Sequence, residues 1–288
     1  MKVPLPKADG LLLVDKPSGM SSHTLVDHAR RTLGTRRIGH AGTLDPFATG
    51  LLVMLVNRAT RLLPFLDNEP KCYRARVRFG AQTSTDDIDG EVLSTAPAPE
   101  PAVVDRAIAS LTGHLLQRPP VFSAKQVGGV RAYAAARRGA PLKLEPVGVT
   151  VFEWRLLGRD GNDLDVEIVC SGGTYVRALA RDLGEATGSA AHLAALRRLR
   201  SGRFSVDDAI SVDRLGTGEF ALVSPSNAVA QLPVQTLDDL DAQRICHGQM
   251  VPATADGELA ALRHRDELLA VAIRDGSSWR PKVVLRDA

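Results

Sequence analysis

Cysteine is scarce in this 288-residue chain: Cys72, Cys170 and Cys246 are scattered and form no C-x-x-C pair. An odd number of separated thiols speaks against a disulfide framework and a cysteine zinc site, and buried thiols are the simpler reading. The seven histidines include no H-E-x-x-H and no pair at helical i, i+4 spacing. Neither G-x-x-x-x-G-K-[ST] nor G-x-G-x-x-G occurs, so metal, nucleotide and nicotinamide chemistry have no motif to rest on. Long apolar runs are missing too. The longest, Leu51 to Val56 and Leu268 to Ile273, fall far short of the ~20 residues a membrane helix needs. Leu11 to Val14, followed at once by Asp15 and Lys16, is too short for the core of a signal peptide, which takes about 7–15 apolar residues. The expectation is a cytoplasmic protein with no metal and no cofactor.

What is present is the balance of an ordinary folded protein, 44% hydrophobic and 24% charged, at a length that suggests about two domains. The net charge of +3 hides an uneven distribution. Residues 231–288 hold 7 basic and 9 acidic side chains, whereas residues 1–230 hold 29 basic against 24 acidic. Many of the basic residues form four acid-free clusters: Arg30, Arg31, Arg36 and Arg37; Lys71, Arg74, Arg76 and Arg78; Arg131, Arg137, Arg138 and Lys143; Arg197, Arg198, Arg200 and Arg203. Arginine dominates, as phosphate recognition favours through its planar donor fork. Four solvated faces would look the same in sequence.

Along the chain, Gly10 to Lys16 reads as a buried strand, and Ser21 or Ser22 as the cap of a helix through Leu33. A glycine-rich loop spans Gly34 to Gly50, and Leu51 to Val56 reads as a buried strand. Lys71 to Phe79 alternates strictly, with Tyr73, Ala75, Val77 and Phe79 on one face and Arg74, Arg76 and Arg78 on the other. Thr83 to Pro101 reads as an acidic loop. Val147 to Leu157 and Leu164 to Cys170 form a hairpin, a helix follows over Tyr175 to Ala186, and His192 to Leu199 fits helix or strand. The stretch from Ser224 to Pro233 reads as a linker. Hairpins without regular βαβ units predict an α+β fold: a mixed, largely antiparallel central sheet flanked by helices, with a small β-rich C-terminal domain. The expected division is residues 1–230 and 231–288.

Two segments have the residues for chemistry. In RRIGHAGTLDPFATG (Arg36 to Gly50) a single carboxylate, Asp45, lies between Leu44 and Pro46 in a loop long for mere connection. Glycine permits close approach of a ligand, and Pro46 biases Asp45 towards an extended backbone. An Asp-Pro turn with a satisfied side chain fits the same spacing. SGGTYVR (Ser171 to Arg177) is a glycine-rich lead into a helix, suited either to phosphate at the free N–H groups or to a tight turn.

These segments resemble the bacterial tRNA pseudouridine-55 synthase family. GLLLVDKPSGMSSH is similar to its opening motif, and RRIGHAGTLDPFATG to its catalytic loop. KCYRARVRFG resembles its Lys-x-Tyr strand, QRPPVFSAKQ its Q-x-P-x-x-x-S-A-x-K segment, and GGTYVRALARDLG its G-T-Y-x-R motif. HLAALRRLRSGRF resembles the segment near the family's pocket. Six motifs in family order are spread over residues 10 to 204, so the resemblance spans about two-thirds of the chain. Gln126 stands where the family usually has lysine, and beyond Pro233 no sharp motif remains.

The resemblance implies the pseudouridine synthase fold with a PUA-like RNA-binding domain at the C-terminus. It implies isomerisation of uridine to pseudouridine at position 55 of the tRNA T-loop, on a nucleotide flipped into a pocket, with no cofactor. Asp45, Tyr73 and Arg177 would be catalytic, Arg177 pairing with Asp45. His40, Gly42, Lys16, Tyr175, Leu196 and Arg197 would bind substrate. The implied partner is the T-stem and T-loop of tRNA, handled by a monomer without guide RNA, nucleotide cofactor or membrane. A protein that only binds or folds RNA, and a synthase acting on another RNA with accessory proteins, are the competing readings.

Overall fold

The computed structural model describes residues 8–123, 125–136, 138–140 and 142–286, without the side chains of residues 126, 127, 130, 131 and 134. The elements that position the site run β1 (Gly10–Lys16), α1 (Ser22–Leu33), β2 (Ile38–His40), β3 (Thr49–Val56), β4 (Lys71–Phe79), α2 (Pro101–Ser110), β5 (Gly113–Gln117), β6 (Val147–Asp160), β7 (Asp163–Cys170), α3 (Val176–Ala186), β8 (Ala191–Ser201) and β9 (Ile210–Ser211). After them come β10 (Val234–Thr236), α4 (Asp239–Cys246), β11 (Val251–Pro252), β12 (Leu259–His264), β13 (Glu267–Asp275) and β14 (Ser278–Val284). The chain packs as two compact units, one of Met1–Asp45, Leu51–Asn68 and Val206–Ala288, the other of Pro46–Gly50 and Glu69–Ser205.

In the first unit β1 lies between β9, parallel to it, and the apolar part of β3, with β2 antiparallel on β3. Helix α1 starts at Ser21, whose hydroxyl accepts from the Thr24 N–H, and stops at Gly34 in the left-handed conformation (φ 63°). Its buried face, Leu25, Val26 and Ala29, packs on Leu12, Val14, Leu52 and Met54. The same unit holds a five-stranded sheet, ordered β10-β12-β13-β14-β11, covered by α4 over its own core of Ile245, Leu262, Leu269 and Trp279. Buried Gln235 satisfies that core's polar groups, accepting from Trp279 Nε1 at 2.7 Å and from the Thr254 N–H at 2.8 Å. The stretch read as a linker is packed instead: Pro225–Val229 is a 3-10 turn with Ala228 and Val229 buried. Its Ala228 carbonyl accepts from the Asp67 N–H at 3.1 Å, and the Gln231 side chain donates to the Phe65 carbonyl at 2.8 Å.

In the second unit the order is β8-β4-β7-β6-β5, antiparallel throughout, with Thr49 and Gly50 pairing parallel to the outer side of β8. Helix α3 buries Val176, Leu179, Ala180 and Leu183. The ambiguous segment is therefore a strand, and the α+β class with a mixed, mostly antiparallel sheet and a small β-rich C-terminal part is what the chain adopts.

Candidate active site

Asp45 is half-buried at the end of a segment that the first unit holds from beneath. Ser22, fully buried at the start of α1, uses one hydroxyl twice: it donates to the Leu44 carbonyl and accepts from the Leu44 N–H, both at 2.9 Å. Neither group then needs water, and the backbone next to Asp45 is fixed. Gly42 takes φ 98°, which L side chains avoid. His40, half-buried on β2, stands opposite Met54 of β3. Lys16 is fully buried, and its ammonium donates to the carbonyls of Pro17 (2.9 Å) and Met20 (2.7 Å). That geometry makes Lys16 the holder of the turn between β1 and α1.

Tyr73 is buried on β4, opposite Ile168 of β7 and Arg198 of β8. Leu196 lies opposite Ala75 and therefore on the Tyr73 face, as does Arg198, which is 1% exposed. Arg197 pairs with Arg74 on the other face. Of the neighbouring arginines in HLAALRRLR, the one beside the tyrosine is thus Arg198, a position the sequence reading passed over. Lys71, two residues before Tyr73 on the same face, has its ammonium pushed below the usual lysine range by burial, with the Arg198 charge acting in the same direction and Glu69 opposing.

Arg177, 5% exposed in the first turn of α3, donates to the carbonyls of Thr85 and Phe122 at 2.8 Å each and lies 3.4 Å from Asp87. One turn on, Arg181 pairs with Asp86 (2.9 Å) and Asp182 (2.7 Å) and donates to the Arg118 carbonyl at 2.9 Å. Burial pushes the Asp86 and Asp182 carboxyls up, against the pull of Arg181. Tyr175, half-buried, is fixed by Gln117, whose amide accepts from the Tyr175 N–H at 2.8 Å and donates to its carbonyl at 3.1 Å. The QRPPVF segment, the acidic loop at 85–87 and the start of α3 are laced into one structure around Arg177. Gln117 and Arg181 lie inside recognised motifs and Asp86 and Asp87 in the acidic loop, but none of the four was assigned a role from sequence. At Gly172 an added Cβ would run into the Glu69 carboxylate. An anion already lies against this turn, which favours the tight-turn reading over a phosphate seat.

The basic clusters differ once folded. Arg76 and Arg78 each form a two-point ion pair across β7, with Asp165 (2.8 and 2.9 Å) and Asp163 (2.7 and 2.8 Å). The arginine face of β4 is therefore largely neutralised. Those guanidinium groups hold the Asp163 and Asp165 carboxyls below their usual range. Lys143 pairs with Glu145 at 3.7 Å, and the side chains of Arg131, Arg137 and Gln126 lie outside the described residues. Among the described residues no group of three or more His, Cys, Asp and Glu is arranged to hold a metal ion, and no helix is long and apolar enough to cross a membrane.

Comparison with known proteins identifies the family. Residues 30–176 match the N-terminal domain of the TruB family pseudouridylate synthases, and residues 177–221 match a tRNA pseudouridylate synthase B C-terminal domain. The tRNA pseudouridine synthase B of Mycobacteroides abscessus is 44% identical, covering 100% of this chain and 99% of the relative. That of Thermobifida fusca is 43% identical over 96% of this chain and 98% of its own. Among solved structures, Cbf5 in a Cbf5-Nop10-Gar1 complex shares the fold, with a TM-score of 0.72 at 24% identity over 96% of this chain and 85% of that one. A family match across half the chain, relatives aligned end to end and a common fold lead to one conclusion: the chain belongs to the TruB family of pseudouridylate synthases.

Proposed function

We propose that this enzyme converts a uridine of the tRNA T-loop, position 55, to pseudouridine, with Asp45 as the essential carboxylate. The observation that carries the proposal is the alignment over the whole chain with tRNA pseudouridine synthase B enzymes. Six sequence motifs add support by supplying Asp45, Tyr73 and Arg177 in family order.

The reaction breaks the bond from C1′ to N1, turns the uracil and joins C5 to the same carbon. The C5 proton leaves and N1 gains one, so atoms and oxidation state balance without a donor group or cofactor. Departure of the uracil leaves positive charge on the ribose, and the Asp45 carboxylate is the anion that meets it. Arg177 pairs with Asp45 in this proposal and aims it; its anchorage to Thr85, Phe122 and Asp87 suits a fixed cation. The Tyr73 ring stacks on the flipped uracil and its oxygen takes part in removing the C5 proton. Flipping costs roughly a few kcal/mol of stacking, which His40 offsets by filling the vacated stack. Gly42 lets the loop approach the nucleotide, while Tyr175, Leu196 and Arg197 contact it or its flanks; Lys16 contributes through the turn it holds. Residues 231–288 form the PUA-like RNA-binding domain. The enzyme works as a cytoplasmic monomer without guide RNA.

The test is position mapping. Unmodified tRNA transcript is incubated with the protein, treated with carbodiimide to tag pseudouridine, and read by primer extension. One stop at the T-loop uridine is expected. Stops elsewhere, or none, would overturn the assignment.

A further inference from the structure

We infer that the C-terminal end of α1 and the turn after it form a seat for the phosphate backbone of the RNA substrate. The inference rests on the function proposed above and selects one cluster of the four that the sequence offered.

Two adjoining grooves, of about 660 and 320 Å³, meet at Gly34 and Thr35. Arg30, Arg31 and Arg36 line the larger; Arg37 and Arg58 line the smaller. Among the described residues the only acids in the two linings are Asp27 and Asp9, and both are engaged. Asp27 pairs with Arg30 at 3.0 Å and lies 3.5 Å from His23, while Asp9 accepts from the Arg58 N–H at 2.7 Å. Arg31, Arg36 and Arg37 are exposed, and among the described residues none of their guanidinium groups has a carboxylate partner. Three uncompensated cations thus stand within seven residues, whereas Arg76 and Arg78 are already paired with acids.

Their platform is rigid. The Gly34 N–H and Thr35 N–H both bond the Arg30 carbonyl, the Thr35 hydroxyl donates to Asn57 at 2.7 Å, and the Arg37 carbonyl accepts from the Asn57 N–H at 2.7 Å. Arg30 itself is locked onto the Ile38 carbonyl at 3.1 Å. The backbone that carries these cations is already ordered, so binding an anion costs side-chain freedom but no loop ordering. Complementing the helix dipole accounts for Arg30 and Arg31 in the last turn, but not for Arg36 and Arg37, which lie beyond the cap. Spaced arginine forks along an open groove suit the repeating phosphates of an RNA strand.

The experiment measures Kd for unmodified tRNA transcript from 50 to 400 mM salt. Each phosphate contact contributes about 0.7–0.9 to the slope of log K against log salt. Arg31→Gln/Arg36→Gln is expected to weaken binding several-fold at 100 mM salt and to flatten the slope by about 1–2, with an unchanged unfolding midpoint. Arg31→Lys/Arg36→Lys, which keeps the charge, is expected to restore the slope. The charge-matched Arg106→Gln/Arg159→Gln on the other unit is expected to leave it as in wild type. An unchanged slope in the first variant, or an equal loss in the charge-matched one, overturns the seat while leaving the proposed function standing. Wild type that shows no salt-dependent tRNA binding overturns both.

Discussion

Removing the guanidinium of Arg181 tests how α3 is held. This side chain is 13% exposed and reaches Asp86 at 2.9 Å, Asp182 at 2.7 and 3.0 Å, and the Arg118 carbonyl at 2.9 Å. Arg181→Ala strips those donors from two largely buried carboxylates and a carbonyl. Deleting one partner of a buried pair costs about 3–5 kcal/mol, so a loss of about 3 kcal/mol at pH 7 is expected. At the roughly 1–3 kcal/mol per molar typical of urea, the unfolding midpoint falls by about 1–3 M. The pH dependence has a definite sign. Burial already raises the Asp86 and Asp182 carboxyls above the unfolded value of 3.8, with Arg181 opposing. A carboxyl raised in the folded state contributes stability below its unfolded pKa and loses it as pH climbs through the folded one. Without Arg181 both rise further, and each added unit costs about 1.4 kcal/mol at neutral pH. The deficit of the variant should therefore grow from pH 4.5 to pH 7, and Asp86→Asn in the same chain should recover part of it. A deficit below about 1 kcal/mol at pH 7, or one that is flat across this range, would refute the argument.

Ser22→Ala orphans the buried N–H and carbonyl of Leu44; a stability loss of about 1–3 kcal/mol and slower turnover are expected, read from urea melts and single-turnover assays, and wild-type values in both would count against the positioning of Asp45. Gly50 has φ 98°, and an added Cβ would lie 2.7 Å from the Arg198 nitrogen and closer still to its carbonyl oxygen. Gly50→Ala should cost roughly 2–6 kcal/mol in strain and displaced backbone, and an unshifted melting point would contradict the pairing of Gly50 with β8. Because Arg78 and Arg76 hold Asp163 and Asp165 low, their contribution is present above pH 3.8 and lost as pH falls through the lowered values. Asp163→Asn/Asp165→Asn should flatten the acid limb of a stability–pH curve below about pH 4; a limb as steep as wild type's would show that these pairs do not matter there.

Local rules made much of the fold legible. Ser21 and Gly34 bracket α1 as cap residues do, and strict alternation placed Tyr73 and the arginines of β4 on opposite faces. The segment around HLAALRRLR fitted helix as well as strand because Leu193, Leu196 and Leu199 are spaced by three, as on a helix. A bulge between Leu193 and Ala195 produces that spacing in a strand: Leu193 pairs with Val77 and Leu196 with Ala75, on one face. The same register puts Arg198, not Arg197, beside Tyr73. The acidic loop read only as a loop because nothing local shows that Asp86 and Asp87 will meet Arg181 and Arg177, about ninety residues later. Asp163 and Asp165 neutralise Arg78 and Arg76 across a similar distance in sequence. Pairings of that range depend on strand register and helix docking, which composition does not encode.

The most direct test of the account is tritium release from unmodified tRNA transcript labelled at uridine C5, comparing wild type with Asp45→Asn. One equivalent of tritium per tRNA from wild type, and none from the variant despite retained tRNA binding, is the predicted result. Release by Asp45→Asn at the wild-type rate would contradict the central role given to this carboxylate, and no release by wild type on tightly bound tRNA would contradict the assigned reaction.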